Sequence, residues 1–117
     1  AIDDEPLLDL TQLEQDKEVL GVNALIAMFE LFSDSSAEQI ASLSPAATNC
    51  DAAKLLHALK GSSASMGLIA LAQLAKRLEV VQKNSASNLL GFTQYQQLES
   101  CRQASIAALQ QWLERQS

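Results

Sequence analysis

The sequence is short of histidine (one), cysteine (two), proline (two) and glycine (four), and holds only three Phe, one Tyr and one Trp among 117 residues. Each shortage closes a class of structure or chemistry. A single histidine with no Glu-x-x-His spacing leaves a bundle-type metal centre without ligands. Cys50 and Cys101 form no CxxC or Cys/His pattern, so they exclude a disulfide framework, fit a reducing cytoplasm and read as small packing residues. Few glycines, prolines and aromatics argue against a turn-rich β architecture. The most apolar run, Ala24 to Phe29, is far below the roughly 18 residues that cross a bilayer, and no basic segment precedes an apolar one at the N-terminus. The segment is therefore expected to be soluble. Positive charge is scarce too: eight Lys/Arg against fourteen Asp/Glu give a net −6 and a pI near 4.6. That balance excludes general binding to nucleic acid or direct contact with an anionic membrane.

What remains suits one compact helical domain. Apolar residues make up 48% and charged ones 19%, and the abundant Ala, Leu and Gln favour helices. Residues 1–8, with three acids and Pro6, read as the remnant of a linker, leaving residues 9–117 as the domain. Asp9 is placed to cap a short helix carrying Leu10 and Leu13, which ends before Leu20-Gly21. A second helix follows from Val22, with Leu25, Phe29, Phe32, Ile40 and Leu43 on one stripe that crosses the polar stretch 33–38 and stops at Pro45. Thr48 with Asp51 offers a capping-box start for a third helix to about Ser65. Gly67 is placed as its left-handed C-terminal residue. The stripe Leu71, Leu74, Ala75, Leu78 and Val81 begins almost at once, which predicts a tight antiparallel hairpin. Asn84 to Gly91 reads as a loop, Thr93 with Gln96 as the next cap, and Tyr95, Leu98, Cys101, Ser105, Ala108 and Trp112 as the inner side of the last helix. Trp112, Phe29 and Phe32 fall on core stripes. Four long amphipathic helices and one short one predict an all-α fold, an antiparallel four-helix bundle with a short extra N-terminal helix.

The one histidine lies on the third helix, counting the short one. With His57 at 0° and about 100° per residue, Leu55, Met66, Leu59, Ala52, Ser63 and Leu56 fall between roughly 160° and 260°. The imidazole therefore faces solvent, with Ala53, Gly61 and Ala64 clearing space around it and Lys54 and Lys60 on either side. A glycine inside a helix costs about 1 kcal/mol against Ala, so Gly61 calls for a reason, and close approach by another molecule supplies one. An exposed imidazole is largely neutral at cytoplasmic pH, so one ring nitrogen is a competent nucleophile. Lysines three residues to either side would stabilise the charge of an attached phosphoryl group. No metal, nucleotide cradle or acidic pocket accompanies them, so a partner must supply those parts.

The run His57-Ala58-Leu59-Lys60-Gly61-Ser62-Ser63-Ala64-Ser65-Met66-Gly67 resembles the signature of histidine-containing phosphotransfer (HPt) domains, roughly H-x-L-K-G-S-[SA]-x-x-[apolar]-G. The chain is similar in outline throughout: a short first helix, a Leu-Gly before the second, a Phe-rich second helix and a hairpin after the histidine. Leu56 stands where a small residue is common and Leu68 where Ala is usual, departures that bear on partner preference. The resemblance implies that His57 accepts a phosphoryl group from a receiver-domain aspartate and passes it to a response regulator, or the reverse, without kinase activity of its own. It implies Lys60 near the phosphoryl oxygens, Gly61 giving the receiver access, and Ser62 or Ser63 supporting the hairpin. No cofactor is expected on this chain, and Mg2+ is expected on the partner receiver. The acidic start without Met looks like the C-terminal HPt domain of a bacterial hybrid sensor histidine kinase (TorS/ArcB-like). Such a domain is cytoplasmic and monomeric in isolation, in a parent anchored in the inner membrane.

The competing reading is a helical interaction or dimerisation module in which His57 is incidental. The Gly61–Gly67 run lacks the Gly-Lys-Ser/Thr ending of a phosphate loop, and Ser62 lies in no nucleophile elbow. Lys76 and Arg77 read as a solvated helix face that at most extends the positive surface. Charge is unevenly spread: residues 1–51 hold eleven acids and one Lys (−10), residues 52–117 seven Lys/Arg and three acids (+4). His57 sits in the basic part.

Overall fold

The computed structural model describes residues 6–43, 51–84 and 90–116. Among these the chain is all-helical: α1 (Leu10–Leu20), α2 (Val22–Ser42), α3 (Ala52–Ser65), α4 (Ile69–Lys83) and α5 (Phe92–Arg115). No single helix is long and apolar enough to cross a membrane. Asp9 caps α1 as its position predicts, its carboxylate accepting from the Gln12 N–H at 3.2 Å. Gly21 has φ +87°, a conformation that L side chains rarely adopt, and there α2 departs from α1 at 120°.

Two cap assignments shift. Asp51 is itself the N-cap of α3, accepting from the Lys54 N–H at 3.3 Å, whereas Thr48 lies outside the described residues. At α5 the cap is Gly91, whose N–H donates to Gln94 Oε1 at 3.1 Å, two residues before Thr93 and Gln96 would close theirs.

The α3–α4 connection is three residues long, and all three of its N–H groups are hydrogen-bonded. Leu68 N–H donates to Ser63 C=O at 2.9 Å and Gly67 N–H to Ala64 C=O at 3.1 Å, the two bonds of a Schellman closure, with Gly67 at φ +74°. A Cβ on Gly67 would lie 3.1 Å from the Leu13 side chain. Helix α1 clamps the same corner: Asp9 N–H donates to Gly67 C=O at 2.8 Å, and the Gln12 amide to the Ala64 and Ser65 carbonyls at 3.1 Å each.

Helix α2 packs on α3 and α5, and α4 on α3 and α5, so the four long helices neighbour one another in a closed ring, with α1 against α2. Their shared core is mostly leucine: Leu25, Leu56, Leu59, Leu71, Leu98 and Leu109 are all buried, each contributing about 2 kcal/mol by removal from water. Phe32 and Trp112 are buried and Phe29 and Cys101 pack against the core, as their stripes predict. Cys50 and residues 85–89 of the expected loop are outside the described residues. Val81 departs from its stripe and is 53% exposed. Of two leucines expected in connecting segments, Leu90 is buried in the core and Leu8, half-buried, packs against it.

The polar gap in the α2 stripe is filled by Ser36, fully buried. Arg102 of α5 reaches it, Nε donating to Ser36 Oγ and an Nη to Ser33 C=O, both at 2.9 Å, while Glu99 accepts from the other Nη at 3.2 Å. This guanidinium ties α5 to α2 with a side chain 13% exposed. Arg102→Ala is expected to lower the unfolding free energy by about 1.5–3 kcal/mol, the range for hydrogen bonds to a charged donor, read by urea denaturation.

Candidate functional site

The inner face of α3 is formed by Ala52, Leu56, Leu59 and Ser63, all fully buried. Helical geometry then turns His57 outward, and its side chain is 67% exposed. The wheel prediction holds, with Leu55 half-buried at the edge of the stripe.

The ring is not free. His57 Nδ1 lies 2.9 Å from Glu79 Oε2, on α4. An ionised carboxylate only accepts, so Nδ1 carries the proton and donates, which leaves the lone pair on Nε2. Lys60 Nζ donates to Glu79 Oε1 at 3.2 Å, and Lys83 Nζ to Oε2 at 3.2 Å. Glu79 itself has a side chain only 5% exposed. Burial, the largest single influence, pushes its carboxyl up. The hydrogen bonds from Lys60, Lys83 and His57, with the Lys60 charge, outweigh burial and hold it at about 2 against an ordinary 4.5.

A carboxyl lowered in the folded state adds stability that is complete above its unfolded value and disappears as pH falls through the folded one. Wild-type stability is therefore expected to decline between about 4.5 and 2. In Glu79→Gln that component of the decline should be missing when urea midpoints are compared across the window. Equal slopes in the two proteins would show that Glu79 is not held ionised by this cluster.

The other predicted positions are divided by the structure. Lys60 joins the cluster, whereas the exposed Lys54 has no ion-pair partner among the described residues. A Cβ on the exposed Gly61 would meet nothing within 4 Å, so no contact inside the chain demands glycine there. Ser62 Oγ donates to Leu59 C=O at 3.2 Å. Ser63 is buried with its Oγ unpaired, and its carbonyl is what holds the hairpin. Lys76 and Arg77 part company. Lys76 rims a shallow cavity of about 200 Å³ with Lys60, Ala64 and Gly67, while Arg77 lines the groove between α4 and α5.

The family model of the Hpt domain matches residues 27–116. The chain belongs to the Hpt domain family. No curated protein and no solved structure matches it significantly. Hpt domains are histidine phosphotransfer modules of phosphorelays that interact with receiver domains and have no kinase activity of their own. In this Hpt domain the two departures from the signature, Leu56 and Leu68, are both fully buried. They alter the core and the hairpin closure, and neither lies on a face that a partner could touch.

Glu79 and Lys83 went unread in the sequence. A signal existed: taking Leu71 as 0°, Glu79 falls at roughly 80° on α4, beside Ala75 at roughly 40° and not on the opposite face. An acid at the edge of an apolar stripe, with lysine four residues on, marks a buried carboxylate in need of donors.

Proposed function

We propose that His57 is the phosphoacceptor of this Hpt domain, taking a phosphoryl group on Nε2 from a receiver aspartyl phosphate and passing it to a second receiver. The observation that carries this reading is the exposed ring with Nδ1 engaged by Glu79, which fixes the tautomer and leaves Nε2 as the nucleophilic atom. Lys60 and Lys54 lie one turn to either side and supply positive charge toward the phosphoryl oxygens. Gly61, open to solvent on the following turn, lets the receiver backbone approach.

The ring of neighbouring helices supports an antiparallel four-helix bundle with α1 as the added short helix. The receiver supplies Mg2+ and the acidic pocket, since phosphoryl transfer needs charge neutralisation beyond two lysines. On the resemblance of its signature, the domain serves a cytoplasmic relay of a bacterial hybrid sensor kinase (TorS/ArcB-like) and works as a monomer. Incubation with a phosphorylated receiver domain tests the reading: an acid-labile, alkali-stable label should appear on this chain. A chain that stays unlabelled against several receivers would instead favour a pure interaction module.

A further inference from the structure

The face that carries His57 continues toward the α3–α4 corner. From His57, α3 runs through Lys60 to Ala64, and from Glu79, α4 runs back through Lys76 to Ala72. Ala64 is seven residues from His57, a displacement of about 10 Å along the helix and only about 20° around it, so it stands almost in line with the imidazole. Gly61 and Ala64, the α3 positions on that line, are small and exposed. There the surface dips into the cavity of about 200 Å³, lined by Ala64, Ala72 and Ile69 with Lys60 and Lys76, and bounded at the corner by Asp9 and Gln12 of α1. Its size is below the roughly 300–1,000 Å³ of small-molecule sites and suits one anchoring side chain of a protein partner. Its two cations differ. Lys60 is committed to Glu79 Oε1 at 3.2 Å, whereas Lys76 is exposed and has no ion-pair partner among the described residues. The Asp9 carboxylate, on the α1 side, accepts from the Gln12 N–H at 3.2 Å.

We propose that this cavity is a second contact point for the receiver, filled by one acidic side chain, and that Lys76 is a specificity-determining residue that pairs with its carboxylate. An unpaired ammonium beside an apolar surface fits an acid on a hydrocarbon stem: the stem packs on Ala64 and Ala72, and the carboxylate stays at the α4 edge, away from Asp9. The distance suits a receiver. A footprint of about 800 Å² centred on Nε2 reaches about 15 Å from it, so it covers a cavity about 10 Å away on the same face. A receiver without that acid docks more slowly, since a charge at the edge of an interface acts chiefly on the association rate. Arg77 makes the contrast. It follows Lys76 in the chain but is turned about 100° around α4, where it lines the groove with α5. The inference rests on phosphotransfer at His57.

The test uses the whole 117-residue chain and its Lys76→Glu and Arg77→Glu variants, which carry the same change of charge on different faces. Each is labelled with phosphoramidate, a small donor that gives up its phosphoryl group and leaves as ammonia, and with a panel of phosphorylated receiver domains at low and high salt. Lys76→Glu is expected to lower kcat/KM for transfer from at least one receiver about tenfold at low salt, through KM, and the deficit should shrink to about twofold at about 0.5 M salt. Its labelling by phosphoramidate should match the wild type, and Arg77→Glu should match it in both assays. When the acids in the loops around that receiver's aspartate are changed to lysine one at a time, one change should restore transfer to Lys76→Glu. Unchanged transfer to Lys76→Glu from every receiver that labels the wild type would overturn the inference and leave phosphotransfer standing. So would an equal deficit in Arg77→Glu, an equal loss of phosphoramidate labelling, or restoration by no receiver variant. A wild type that no receiver labels would overturn both. Should Lys76→Glu not fold, Lys76→Gln replaces it, with a deficit of about threefold expected and unchanged transfer overturning the inference as before.

Discussion

His57→Gln is expected to reduce acid-labile labelling of this chain to background while leaving the fold in place. The proposed nucleophile is a ring nitrogen with a lone pair, and a carboxamide offers none of comparable strength, so the loss should be complete and not graded. Stability should change by only about 0.5 kcal/mol, because the side chain is 67% exposed and contributes little packing. Glu79 keeps its two lysine donors in the variant, so it is not left as a bare buried charge. Melting curves of the two proteins should superimpose within a few degrees. A variant that still accepts an acid-labile label would move the phosphoacceptor off His57.

Substitution of Gly61 is expected to separate fold from function in the opposite sense. A Cβ there meets open space, and glycine is a poor helix former, so Gly61→Ala should stabilise the isolated domain by about 1 kcal/mol. Gly61→Phe should also fold, since its ring projects from an exposed turn. Transfer from a receiver should nevertheless fall by at least about 100-fold in Gly61→Phe, because a displacement of an ångström between reacting atoms has that effect. Phosphoramidate is small enough to reach Nε2 past a bulky neighbour, so chemical labelling of the same variant should survive. Normal receiver transfer in Gly61→Phe would place the docking face elsewhere on the domain.

Much of this arrangement is legible in the order of residues. The outward direction of His57 follows from where Leu56, Leu59 and Ala52 must go. The Asp9 cap and the left-handed Gly67 follow from local backbone chemistry, which a sequence states directly. What stays hidden depends on partners far along the chain. Glu79 goes unread until α4 is packed against α3, when its acid turns out to face the imidazole 22 positions earlier. Arg102 has the same character: a long side chain on a polar edge crosses to Ser33 and Ser36, 69 and 66 residues away. Val81 fails for the converse reason. It keeps the α4 spacing but sits in the last turn, at roughly 280° from Leu71, where the core no longer reaches.

The α3–α4 corner gains a further meaning from these distances. His57, the proposed nucleophile, and Glu79, the carboxylate bonded to its ring, sit on different helices, and the short corner closed by Gly67 and clamped by α1 keeps them in step. A slide of α4 by a single residue, about 1.5 Å along its axis and a rotation of about 100°, would carry the carboxylate away from the ring while leaving helix content untouched. If His57 is the phosphoacceptor proposed above, reactivity at Nε2 reports the alignment of two helices and is expected to lapse in a loosened domain that spectroscopy still counts as helical. A relay component built this way falls silent before it unfolds.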